Sequence, residues 1–66
     1  MPTFKIYYTY DTKSGVYAEA CYTTVHENAQ KAVDECRRKL GDLKGFRITK
    51  AFVDRGLYWG YVDEWE

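Results

Sequence analysis

No stretch of this chain is apolar for long enough to cross a bilayer as a helix, which takes about 20 residues. No basic segment leads into an apolar one, so nothing reads as a secretion signal. There is one histidine, one proline and two cysteines. With one histidine and no cysteines at ligand spacing, a metal site is not expected. Two cysteines without a secretory signal read as free thiols in a reducing compartment, so the expected location is cytoplasmic. The glycines are scattered as turn residues and form no phosphate loop. The carboxylates Glu19, Glu27, Asp34 and Glu35 show no arrangement that separates an acid from a base. His26 near a helix start is expected to face solvent rather than pair with Cys21 or Cys36. No catalytic residue, cofactor site or metal site is therefore expected, and the chain does not read as an enzyme.

Charge of one sign is also missing. Lys plus Arg number 10 and Asp plus Glu number 10. A general nucleic-acid binder is normally clearly basic, and a DNA mimic strongly acidic. The distribution is uneven, however. Seven basic residues (Arg37, Arg38, Lys39, Lys44, Arg47, Lys50 and Arg55) lie within 37–55, against Asp42 and Asp54. The end of the chain is acidic, with Asp63, Glu64 and Glu66.

What is abundant is aromatic side chain, at 18% of 66 residues. One domain spanning 1–66 is expected. A chain this short buries only roughly 60% of its unfolded surface, so it needs very good packing or a second copy.

Residues 3–10 alternate, with Phe4, Ile6, Tyr8 and Tyr10 on one side and Lys5, Tyr7 and Thr9 on the other. A turn at 11–15 leads to a second strand over 16–24, forming a hairpin. A register with Asp11 facing Gly15 sets Tyr8 opposite Ala18 and Ile6 opposite Ala20. Asn28 is a good N-cap, with Thr24 to Glu27 as a competing capping box. Ala29, Ala32, Val33, Cys36 and Leu40 follow at helical spacing, with Glu35 and its charged neighbours on the solvated side. Gly41 suits the helix stop. Residues 46–53 and 57–65 form a second strand pair around a three-residue turn, which sets Val53 opposite Leu57, Ala51 opposite Trp59 and Thr49 opposite Tyr61.

The expected fold class is α+β: ββαββ, an antiparallel four-stranded sheet with one helix packed on one face. The helix is expected to cover Phe4, Ile6, Tyr8, Val16, Ala18, Ala20, Phe46, Ile48, Phe52, Tyr58 and Val62. That leaves an open face with Tyr7, Tyr17, Trp59 and Tyr61 among Lys5, Cys21, Arg47, Thr49, Ala51 and Val53. Such a patch suits partner binding, because Tyr and Trp carry much of the energy of interfaces. The candidate partner-binding residues are Tyr7, Tyr17, Arg47, Trp59 and Tyr61. An alternative basic patch is Arg37, Arg38, Lys39 and Lys44. Cross-strand aromatics also stabilise a solvated sheet face without any partner.

The run Thr24-Val25-His26-Glu27-Asn28-Ala29-Gln30-Lys31-Ala32-Val33 passes from a strand end through a polar cap into an Ala-rich helix. Together with the later strand Arg47-Ile48-Thr49-Lys50-Ala51, this layout resembles small phage and mobile-element proteins of the anti-CRISPR and phage-antitoxin type. The resemblance implies a surface-blocking inhibitor of a host defence or toxin complex, acting in the host cytoplasm. It carries no specific functional residue across. The first expectation is thus a protein partner. The alternatives are a nucleic-acid-binding accessory module and a small homodimeric structural or housekeeping protein; a membrane partner is not expected.

Overall fold

The computed structural model describes residues 1–63 and Trp65. The expected acidic residues Glu64 and Glu66 lie outside the described residues. Strands β1 (Thr3–Asp11) and β2 (Tyr17–Val25) precede helix α1 (Ala29–Leu40), and β3 (Arg47–Asp54) and β4 (Trp59–Val62) follow it. The sheet is antiparallel, in the order β2-β1-β3-β4. The ββαββ expectation is therefore met, and no described helix is long and apolar enough to cross a membrane.

Alternation in β1 decides which side is buried. Phe4, Ile6 and Tyr8 point to the helix and are buried, while Lys5, Tyr7 and Thr9 point away. The β1–β2 register sets Tyr8 opposite Ala20 and Ile6 opposite Tyr22. This is two residues from the expected register. A shift of two preserves the faces, whereas a shift of one would invert them.

Asn28 caps α1 as its sequence suggests, its side-chain oxygen accepting from the Lys31 N–H at 2.9 Å. Ala32, Val33 and Cys36 are buried against the sheet, with Ala29 and Leu40 half-buried beside them. Small residues on the contact face let the helix approach closely. A fully buried Val or Ile side chain adds about 1.5–3 kcal/mol relative to an exposed one. Gly41 ends the helix in the right-handed region (φ −63°), its N–H donating to the Arg37 carbonyl at 2.8 Å. The left-handed glycine of this connection is Gly45 (φ +68°), packed beside the Asp11 carboxylate.

The second strand pair departs from expectation. Tyr7 pairs with Lys50 but Tyr8 pairs with Ile48, so Thr49 is an extra residue in β3, a β-bulge. The Thr49 hydroxyl donates to the Tyr7 carbonyl at 3.2 Å across the bulge. Phe46 and Ile48 before it, and Ala51 and Val53 after it, all lie on the helix side. Ala51 and Val53 are buried core residues rather than members of the open face, and Phe52 turns outward instead.

The β3–β4 register follows. Ala51 faces Val62, Phe52 faces Tyr61, Val53 faces Gly60 and Asp54 faces Trp59. The connection is the four-residue loop 55–58, closed by the Arg55 N–H donating to the Tyr58 carbonyl at 2.9 Å. Tyr58 is exposed in this loop rather than covered by the helix, and so is Leu57. Strand β4 is correspondingly short. Trp65 lies outside it, half-buried against the core.

Candidate interaction face

The bulge at Thr49 builds the most ordered feature of the uncovered face. By re-aiming the second half of β3, it sets Phe52 between Tyr7 of β1 and Tyr61 of β4. The Tyr7 and Phe52 rings meet edge to face, with centroids 5.7 Å apart and planes at 87°. Phe52 and Tyr61 meet similarly at 5.8 Å and 70°. Such pairs contribute about 0.5–1.5 kcal/mol beyond their area burial. The row therefore crosses three strands in one connected orientation.

Two lysines complete it. The Lys5 Nζ lies 4.2 Å from the centroid of a Trp59 ring, and the Lys50 Nζ lies 5.2 Å from that of Tyr7. Cation–π contacts at exposed sites contribute about 0.5–1 kcal/mol. Exposure rises toward β4, where Tyr61 is 62% exposed and Trp59 38%. The result is an amphipathic surface of rigid rings and anchored positive charge.

The five sequence-derived partner residues divide. Tyr7, Trp59 and Tyr61 belong to the row. Tyr17 sits opposite Asp11 on the outer strand β2, and Arg47 sits opposite Thr9. Both are at the hairpin end of β1, away from Trp59, which lies beyond the Phe4–Val53 pair at the other end. Sequence reasoning missed Phe52 and Lys50 as partners of Tyr7. The available signal was Thr49-Lys50, two polar residues that interrupt the apolar alternation of Ile48 and Ala51.

The alternative basic residues Arg37, Arg38, Lys39 and Lys44 are all exposed. Arg37, Arg38 and Lys39 are consecutive in the last helical turn, so they fan around the helix at about 100° per residue instead of converging. Lys44 borders an open cleft with Asp11, Thr12, Lys13 and Gly15. Its carbonyl accepts from the Asp11 N–H at 2.7 Å, joining the two loops.

On the covered side, Glu35 is not solvated as its helical position suggests. Its Oε2 accepts from the Tyr22 hydroxyl at 2.6 Å and the Thr24 hydroxyl at 2.8 Å. Its Oε1 lies 2.6 Å from His26 Nε2, and its side chain is only 15% exposed. These donors hold the Glu35 carboxyl at about 2, Tyr22 contributing most, then His26 and Thr24. The same bond, with some desolvation, pushes the Tyr22 phenol up to about 12. His26 is thus half-buried at the helix–sheet seam, not turned to solvent. With donors at both oxygens, this carboxylate pins α1 to β2. Thr24 consequently spends its hydroxyl on Glu35 and not on a capping box.

Cys36 is buried and Cys21 exposed on the open face, and both are free thiols. Burial pushes the Cys36 thiol up to about 11. Among the described residues, no group of three or more His, Cys, Asp or Glu is placed to hold a metal ion.

No family model, curated protein or solved structure matches the chain.

Proposed function

We propose that this is a non-enzymatic interaction protein that occupies a surface of a larger protein partner through the row Tyr7–Phe52–Tyr61 with Lys5, Lys50 and Trp59. The observation that carries the reading is the interlocked geometry of that row. Side chains held by one another lose little freedom on binding, which lowers the cost of association. Rings with fixed cations beside them suit a partner patch that combines apolar surface with carboxylates. The layout's resemblance to small phage proteins supports a finer assignment, an inhibitor that acts by stoichiometric blocking of a host defence or toxin complex.

A second reading has one specific observation in its favour. Lysines interleaved with exposed rings on a sheet also suit single-stranded nucleic acid. The edge-to-face contacts argue against it, because they set ring edges against the faces that bases would stack upon. The zero net charge argues the same way.

The test is affinity capture from host lysate with the wild type and with the Lys5→Glu, Lys50→Glu, Tyr61→Ala triple variant, both shown folded by circular dichroism. The proposal expects one or a few proteins held by the wild type at about one to one and lost by the variant. Equal capture by both removes the open face from function. Capture of nucleic acid, with affinity falling steeply as salt rises, replaces the protein reading with the second one.

A further inference from the structure

Of the two outer strands of the sheet, β2 has the longer edge without a neighbouring strand among the described residues. Among the described residues β2 pairs with β1 alone, over all nine of its residues, whereas the other outer strand, β4, has four. Unpaired strand edges template the addition of another strand, and proteins usually blunt them with lysine, proline or a bulge. Tyr17–Val25 holds no lysine or proline, its β1 register is unbroken, and its one charged residue is Glu19.

The hydrogen-bond phase of that edge follows from its two ends. The Thr12 N–H donates to the Val16 carbonyl, and the His26 N–H donates to the Pro2 carbonyl. Both pairs continue the β1–β2 register, in which hydrogen-bonded and non-hydrogen-bonded pairs alternate. The even-numbered residues of β2 therefore bond to β1. Tyr17, Glu19, Cys21, Thr23 and Val25 aim their N–H and C=O groups outward.

We infer that β2 pairs antiparallel with β2 of a second copy about a two-fold axis at Cys21, joining two sheets into one of eight strands. Cys21 is the midpoint of β2, so only this register uses every outward group of the strand. Each of the five outward residues then exchanges two backbone bonds with its partner. The side chains match as well. Tyr17 (70% exposed) meets Val25 (50% exposed) of the other copy at each end, an aromatic–β-branched pair. Glu19 meets Thr23, and Cys21 meets its own copy. Centring the pairing on Glu19 would instead set two carboxylates against each other, which is destabilising. The second copy is also the reinforcement that so short a chain calls for. The edge is separate from the ring row on β1, β3 and β4, so the pairing stands without the proposed function. It would leave two rows exposed on one side of a continuous sheet.

The test measures amide exchange by NMR on the full chain over a concentration series, alongside sedimentation. The expected result is protection at Glu19, Cys21 and Thr23 that grows with concentration and disappears on dilution, while Ala20 and Tyr22 stay protected throughout. Cys21→Lys places two ammonium groups at the axis and should shift the sedimentation coefficient to the monomer value with the fold intact. Should that variant fold poorly, Thr23→Pro removes an N–H that has no partner among the described residues of the monomer and should act likewise. A short bismaleimide should link wild-type chains through Cys21. Unprotected odd-numbered amides at the highest concentration, a chain that stays monomeric, or a dimer indifferent to Cys21→Lys and Thr23→Pro each overturn the inference.

Discussion

Replacing Cys36 by Asp puts a carboxyl where the helix meets the sheet, and the consequences are calculable. Cys36 is 0% exposed, and burial already pushes its thiol up to about 11. A buried polar group without a partner costs about 1–3 kcal/mol. The carboxyl must also stay protonated to remain inside, which costs about 1.4 kcal/mol for each pH unit above its unfolded value near 3.9. At about pH 7 the proton alone can cost about 4 kcal/mol. A chain of this length has a total stability of roughly 3–10 kcal/mol. Cys36→Asp should therefore lose about 5–7 kcal/mol at neutral pH, most or all of the stability of so short a chain. The sign fixes the direction of recovery. A carboxyl with a raised folded pKa means that the folded state binds more protons, so the deficit shrinks as pH falls toward about 4. Cys21→Asp, on the exposed face, should cost the monomer no more than about 1 kcal/mol, the span of strand propensities, when measured at concentrations too low for β2 to pair with a second copy. Urea unfolding of both variants and the wild type, at acid and neutral pH, reads the difference. Equal losses, or a Cys36→Asp deficit independent of pH, would refute the helix–sheet packing described above.

Glu35, held at about 2 against an ordinary 4.5, contributes stability that is complete above pH 4.5 and lost as pH falls from there through 2. Acid unfolding followed by circular dichroism should show it, and Glu35→Gln should flatten that limb. Tyr22, pushed up to about 12 from 10.0, contributes stability present below pH 10 and lost as pH rises through 12. Tyr22→Phe should remove the latest tyrosinate absorbance in an alkaline titration. Cys21 should react with a thiol reagent in the native state and Cys36 only on unfolding, with no mass change on reduction; fast reaction of both would contradict their placement. Gly45→Ala should destabilise by about 1–2 kcal/mol from its left-handed backbone, and more because the added Cβ would lie 2.5 Å from Asp11 Oδ2. Thermal unfolding would check this, and an unchanged midpoint would refute the close packing of that loop on Asp11.

Period-two and period-3.6 patterns made β1, β2 and α1 legible, because each buries one face and its apolar residues mark that face. The hairpin register differs by two residues from the expected one, which leaves Tyr8 facing an alanine but takes Val16 out of β2, where it is 63% exposed instead of covered by the helix. The second strand pair was not legible in the same manner. One extra residue at Thr49 reverses the parity of everything after it, so Ala51 and Val53 went to the wrong side and Phe52 with them. Small apolar Ala51 gives a weak signal of burial, and strict alternation across Thr49-Lys50 absorbed the break. Three of the five candidate residues join the row, because Tyr7 lies on β1, whose alternation is unbroken, and because the loop 55–58 restores the outward side of Trp59 and Tyr61. The Glu35 cluster was hidden for another reason. Tyr22, Thr24, His26 and Glu35 have no motif spacing and meet only once α1 lies across β2.

The most direct measurement of the central claim is NMR of the isotope-labelled chain with the captured partner added in steps. The account predicts that the largest shifts fall on Lys5, Tyr7, Lys50, Phe52, Trp59 and Tyr61 and saturate at one partner site per chain. Shifts confined to Arg37, Arg38, Lys39 and Lys44, with the ring row unmoved, would contradict it and leave the open face as a stabiliser of the sheet alone.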